Sequence, residues 1–211
     1  MINIGDISQK SRRTFIEEDL SAVFKKRRSS MLVLPSVCRQ VLDLIRTTDG
    51  CLLGGGAALE LYTGDFHKIK DWDIFSQSIK VVDLLAKKLK DLGFENTKYT
   101  EWGETFEKSG VIVQLITKYY APDPQYLFDA FDLSTCCFAS NGRYLYYTAQ
   151  ASEDVAEKKI SCVRSKNPIS AIKRIARYGQ KGYMPTTQAI REVLKLETGD
   201  FDFDEEEDYE S

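Results

Sequence analysis

No Cys-x-x-Cys pair occurs in this chain, although it has five cysteines, Cys38, Cys51, Cys136, Cys137 and Cys162. Their odd number and mostly apolar surroundings favour reduced thiols in the core over disulfides or a zinc site. No apolar run approaches the roughly 20 residues of a membrane span. The N-terminal MINIGDISQKSRRTF has no apolar core, so no secretory signal is expected. There is no internal repeat and no long Pro-, Gly- or Ser-rich linker. Histidine occurs once, as His67, which reads as a surface-loop residue rather than a base. A cytosolic protein is expected.

What is present is ordinary in bulk: 211 residues, 43% hydrophobic and 29% charged, enough for one core with a small appendage. The net charge of −3 argues against nonspecific binding to nucleic acid. That charge is unevenly spread. Seven acids fall between Asp202 and Glu210, and without the tail the body is slightly basic. The tail over 199–211 is expected to be a disordered, solvated end. A mimic of nucleic-acid charge over a basic groove is the sharper alternative.

Periodicity predicts a helix in TFIEEDLSAVFKKRR and another in LPSVCRQVLDLIR, closed by Gly50. Residues 51–53 read as a short strand, AALELYTG as a helix ended by Gly64, DWDIFSQ as a strand, and KVVDLLAKKLKDLGF as an amphipathic helix. β-Branched and aromatic segments follow. PISAIKRIARYGQKGY and TTQAIREVLKL close the chain as helices. This order predicts an α+β (mixed α/β) fold. Strands 51–53, 71–76, 111–117, 132–139 and 143–149 are expected in one sheet, mixed and mostly antiparallel. Helices 36–46, 57–63 and 80–92 are expected to pack on one face of it.

The chemistry concentrates in LGGGAALELYTGDFHKIKDWDIF, residues 53–75. Strand alternation puts Asp71 and Asp73 on one face, with Trp72 and Ile74 on the other, free to bury. Two adjacent carboxylates repel, and a divalent cation with hard oxygen ligands relieves that repulsion. Magnesium in turn prefers a few carboxylates plus phosphate oxygens, which predicts a nucleoside triphosphate partner. Gly54, Gly55 and Gly56 lead from a strand into a helix N-terminus, where free N–H groups can meet a phosphate. The expected reaction is in-line displacement at the α-phosphorus.

GGGAALELYTG…KDWDIF resembles the signature of the DNA polymerase β-like nucleotidyltransferase superfamily: strand, glycines, helix, then a D-x-D strand. It is nearest to the CCA-adding and poly(A) polymerase head domains and to the toxin-like nucleotidyltransferases. The resemblance is tight over about 25 residues. It implies a nucleotidyltransferase domain over 1–165 including the N-terminal helices, a helical part over 166–198, and the acidic tail. It implies Mg²⁺ or Mn²⁺ as cofactor and transfer of NMP from an NTP to a hydroxyl on an RNA or tRNA end, a protein or a small molecule. It also asks for a third carboxylate on a neighbouring strand. Asp132 in FDLSTCCFA is the candidate, completing a catalytic and metal-binding set with Asp71 and Asp73. Ser134 and Cys136 would then line the cleft beside it, with Leu133 and Thr135 facing away.

The rival to Asp132 is Gln114 in VIVQLI. With glutamine at the third position, weak metal binding and no transfer are expected, and the reading shifts to a catalytically inactive relative that binds nucleotide, RNA or a protein. Three further departures stand out. Leu59 and Phe131 replace arginines of the CCA-adding pattern, and Ala57 replaces a hydroxyl residue. RIARYGQKGY resembles a basic helix following the catalytic sheet in some superfamily members, and it reads either as a solvated basic face or as a contact to a triphosphate or RNA backbone that replaces those donors. There Arg174, Arg177 and Lys181 share one helical face, with Ile169, Ile172, Ile175 and Ala176 broadly opposite.

Overall fold

A computed structural model describes residues 15–27, 34–164 and 167–194. The expected tail over 199–211 lies outside them. Among the described residues, no helix is long and apolar enough to cross a membrane.

The chain opens with β1 (Phe15–Asp19), α1 (Leu20–Lys26) and α2 (Ser36–Arg46). Then come β2 (Cys51–Gly54), α3 (Gly55–Thr63), β3 (Asp71–Ser76) and α4 (Ile79–Asp91). A meander of β4 (Glu95–Thr100), β5 (Gly103–Lys108) and β6 (Val111–Tyr120) leads to α5 (Pro124–Ala130). β7 (Phe138–Ser140), β8 (Tyr144–Thr148) and α6 (Ala149–Glu157) follow, then β9 (Lys159–Ile160), α7 (Pro168–Gly179), β10 (Met184–Pro185) and α8 (Thr187–Leu194). The large sheet has the order β1-β8-β7-β2-β3-β6-β5-β4. Every neighbouring pair in it is antiparallel except β3 and β6, which run parallel. The chain therefore crosses over between them, through α4 and the β4–β5 hairpin.

The alternation seen in the sequence holds on β3. Trp72 and Ile74 are almost wholly buried. Their face carries α2, through Cys38 against Trp72. It also carries α3, whose Tyr62 ring sits 5.0 Å from those of Phe138 and Tyr147. On the other face, Phe75 meets Phe131 edge-on at 5.9 Å and α5 covers the sheet. That cover stops short of β6 and β5, so Gln114 and Thr105 stay half-buried beside Asp71 and Asp73.

Three local expectations fail, each for a physical reason. The first helix begins only at Leu20. Phe15–Asp19 pairs with β8, where Phe15 packs against Phe128 and Tyr146, and Asp19 caps α1 by accepting from the Ala22 N–H at 3.0 Å. The strand expected over 132–139 is confined to β7. Leu133 forms a lone bridge to Cys162, and Ser134–Cys136 is a 3-10 turn. Ser134, Thr135 and Cys136 are all buried, so the expected alternation into a cleft does not occur. The Ser134 hydroxyl donates to the buried Asp154 and accepts from the Ser161 N–H, and these bonds hold the turn inward. Finally, α7 does not bury the expected isoleucine face. Ile169 and Ile172 are exposed and only Ile175 packs half-buried on the core, whereas Ala171 and Tyr178 are buried, and Lys181 lies beyond the helix end.

Candidate active site

The glycine turn is built by packing on one side and openness on the other. Gly54 ends β2 in an extended conformation at the head of α3. A Cβ there would stand 2.7 Å from the Phe75 ring and 3.1 Å from Leu127, so close packing requires glycine. Gly55 has φ +64, the left-handed region that glycine tolerates best. Around Gly55 and Gly56 a Cβ would meet nothing within 4 Å. No side chain caps the α3 N-terminus, so its first N–H groups face this open space.

These two faces of the turn give opposite expectations. Gly54→Ala forces Phe75 or Leu127 to move and is expected to cost roughly 1–3 kcal/mol of stability. Gly56→Ala adds a methyl to open space in a helical first turn and is expected to leave thermal stability unchanged or slightly raised. The same methyl stands where a phosphate would approach, so at least about a tenfold loss of nucleotide affinity is expected. Paired melting curves and nucleotide titrations on the two variants check both outcomes.

Leu53 pairs with Ile74, so the chain leaves β2 for the glycine turn next to Asp73. Asp73 is half-buried, and its Oδ1 is buried with no hydrogen-bond partner. Burial above all, and then the adjacent Asp71 charge, push its carboxyl up to about 7. Arg177 and Arg174 of α7 act in the opposite direction. Two of the expected cations on α7 thus reach Asp73 electrostatically.

Asp132 lies in the bend between α5 and the 3-10 turn, not on a strand. Its Oδ2 is bound by Arg174 Nη1, and its Oδ1 is buried without a partner. Among the described residues, no three histidine, cysteine, aspartate or glutamate side chains gather closely enough to hold a metal ion. The side chain beside Asp73 on the adjacent strand is Gln114, its partner in the parallel register of β3 and β6. The row continues to Thr105 on β5 and Lys98 on β4.

Lys181 has a different station from its two neighbours. Its Nζ lies 2.6 Å from Oε1 of Glu60, whose side chain is only 4% exposed. Glu60 belongs to α3, the helix that starts at the glycine turn. Nearby, the Tyr178 hydroxyl donates to the Thr135 carbonyl at 3.2 Å and lies 3.6 Å from the Cys136 sulfur. Lys181 and Tyr178 therefore fasten the end of α7 to the body of the domain. Glu60 is not among the site residues that the sequence motifs single out. Its one signal is an acid in an otherwise apolar helix, AALELY. His67 sits exposed in a 3-10 turn between α3 and β3.

A carboxylate oxygen without a donor, a neighbouring carboxylate and an uncapped helix start fit a divalent cation and a phosphate. Asp71 and Asp73 are the residues that would hold the cation.

Comparison with known proteins agrees with this architecture. A family model described as Gabija anti-defense 2 family protein matches residues 15–158. No curated protein matches. Among solved structures, a CCA-adding enzyme with CTP superposes with a TM-score of 0.61 at 16% identity, covering 85% of this chain and 46% of that one. A CCA-adding enzyme with ATP gives 0.62 at 16%, with 85% and 46% covered. The Thermotoga maritima CCA-adding enzyme complexed with tRNA gives 0.63 at 17%, with 85% and 45% covered. The chain thus spans less than half the length of these structures, and at such identities the likeness is one of fold.

Proposed function

The chain belongs to the Gabija anti-defense 2 family, and we propose that it is a nucleotidyltransferase that moves an NMP from an NTP to a hydroxyl acceptor. The observation that carries this reading is the unpartnered, buried Oδ1 of Asp73 beside Asp71, at the mouth of an open glycine turn. A buried carboxylate with no donor is costly unless a proton or a cation completes it. The fold supports the same class of activity, since the superposable CCA-adding enzymes were solved with CTP, ATP and tRNA. The family description points to a component of the Gabija defence as the acceptor or partner.

In this reading Asp71 and Asp73 hold Mg²⁺ or Mn²⁺. The ion would offset charge on the phosphates and favour departure of pyrophosphate. Gly55, Gly56 and the first N–H groups of α3 receive phosphate oxygens. Arg177 adds positive charge that acts on Asp73. Arg174 holds Asp132 and lends charge to the same centre.

A second reading is favoured by one observation, Gln114 in the place beside Asp73. A neutral side chain there gives a centre that binds nucleotide without transferring it. Incubation of the pure protein with each α-labelled NTP, Mg²⁺ or Mn²⁺, and either total RNA or the Gabija proteins separates the two. Label on RNA or protein, absent in Asp73→Asn, supports the transferase. Bound but untransferred nucleotide supports the second reading.

A further inference from the structure

The charged groups around Asp73 do not add up to a site for a free cation. Asp71 and Asp73 supply two carboxylates, and the third position is taken by the neutral Gln114. Asp132 has one oxygen bound to the Arg174 guanidinium, so its own negative charge is offset. Arg174 and Arg177 both project positive charge onto Asp73. A bare divalent ion entering this centre meets two acids whose attraction is opposed by the positive charge of Arg177 and Arg174. A triphosphate already carrying such an ion meets the reverse. Its cation faces the aspartates, and its phosphates face the arginines and the uncapped start of α3.

We propose that this centre takes up a single divalent cation, and takes it only as the complex with a nucleoside triphosphate, with Gln114 as the residue that limits the count to one. The inference rests on the nucleotide-binding part of the proposed function and holds whether or not transfer follows. Gln114 acts here through its neutrality. It stands in register with Asp73, half-buried, on the same face. Its amide oxygen carries no charge, whereas an acid at this position would supply a third anionic oxygen donor.

The test uses the full chain with Mn²⁺ as a spectroscopic probe. Free Mn²⁺ is counted by its paramagnetic resonance signal, alone and with analogues of ATP, CTP, GTP and UTP that cannot be cleaved between the α- and β-phosphorus. In the wild type, Mn²⁺ alone should bind at least tenfold more weakly than with the accepted analogue, and one ion should bind per nucleotide. Gln114→Glu should gain at least tenfold in affinity for Mn²⁺ alone and take a second ion with nucleotide. Asp132→Asn, which lies in the bend after α5 and outside the β3–β6 pair, should keep the count at one.

Two ions per nucleotide in the wild type would overturn the inference and leave the transferase reading standing. So would tight binding of Mn²⁺ alone, or loss of the ion in Asp132→Asn. If none of the four analogues binds with or without Mn²⁺, the inference and the proposed function fail together.

Discussion

At pH 8, an Asp73→Asn variant is expected to melt higher than the wild type and to have lost nucleotide transfer by a hundredfold or more. Both effects come from the same atoms. In the folded chain, burial and the Asp71 charge hold the Asp73 carboxyl up to about 7. In the unfolded chain it ionises near the ordinary aspartate value of about 4. Between these limits the folded state binds the extra proton. Stability from this group is therefore fully present below pH 4 and is lost as pH rises to about 7. Above pH 7 the folded protein holds an ionised Asp73 Oδ1 with no donor.

Asparagine removes that charge at nearly the same volume. The expected gain at pH 8 is of order 1–2 kcal/mol, roughly 2–8 °C for a domain of this size. The melting curves of the two proteins should converge near pH 4 and separate through pH 7. Addition of Mg²⁺ with NTP should reverse the order, because the wild type binds the complex and the variant does not. Equal melting temperatures at pH 4 and pH 8 would show that Asp73 is neither desolvated nor coupled to Asp71.

The largest loss of stability is expected from Lys181→Met. Glu60 is almost fully enclosed, and Lys181 is the cation on it at 2.6 Å. Removing one partner of a buried pair leaves an uncompensated charge and costs about 3–5 kcal/mol. Thr63, the other partner of Glu60, approaches Oε2 only at 3.3 Å and cannot replace the charge. The double variant Glu60→Gln/Lys181→Met removes both charges and should recover most of the loss, as measured by urea denaturation.

The pair also bears on the site. It ties the segment after α7 to the helix that begins at the glycine turn. Breaking it should loosen Arg174 and Arg177, so nucleotide affinity should fall in the single variant and only partly return in the double. Equal stability of the single and double variants would show that the Glu60–Lys181 contact is not a desolvated pair.

Several parts of this molecule were legible in its residues. The period of two in Asp71-Trp72-Asp73-Ile74 needs only strand geometry to put the two acids together and bury Trp72 and Ile74. The structure has that division. Gly54-Gly55-Gly56 after an apolar run reads as a strand turning into a helix, and the turn uses the left-handed freedom of glycine at Gly55, φ +64. Helices α2 and α4 were plain from spacing, since their apolar stripes are long enough to outvote local noise.

Other parts were hidden because the deciding contact is far away in sequence. FIEED forms β1 since Phe15 finds Phe128 and Tyr146, more than a hundred residues on. FDLSTCC resembles a strand in composition, yet Asp154 and Ser161 bend it inward through Ser134. The basic helix illustrates the same limit. Periodicity grouped Arg174, Arg177 and Lys181 by angle alone, and only the packing gave them separate partners in Asp132, the Asp73 field and Glu60.

By itself, the sequence determined the α+β class, the glycine turn and the paired aspartates, all set by local backbone geometry and side-chain alternation over short spans. Only the tertiary structure decided which side chain stands beside Asp73. Strand register across a parallel pair joined through a helix and a hairpin is fixed by packing, and that packing brought Gln114 to Asp73 and sent Asp132 to Arg174.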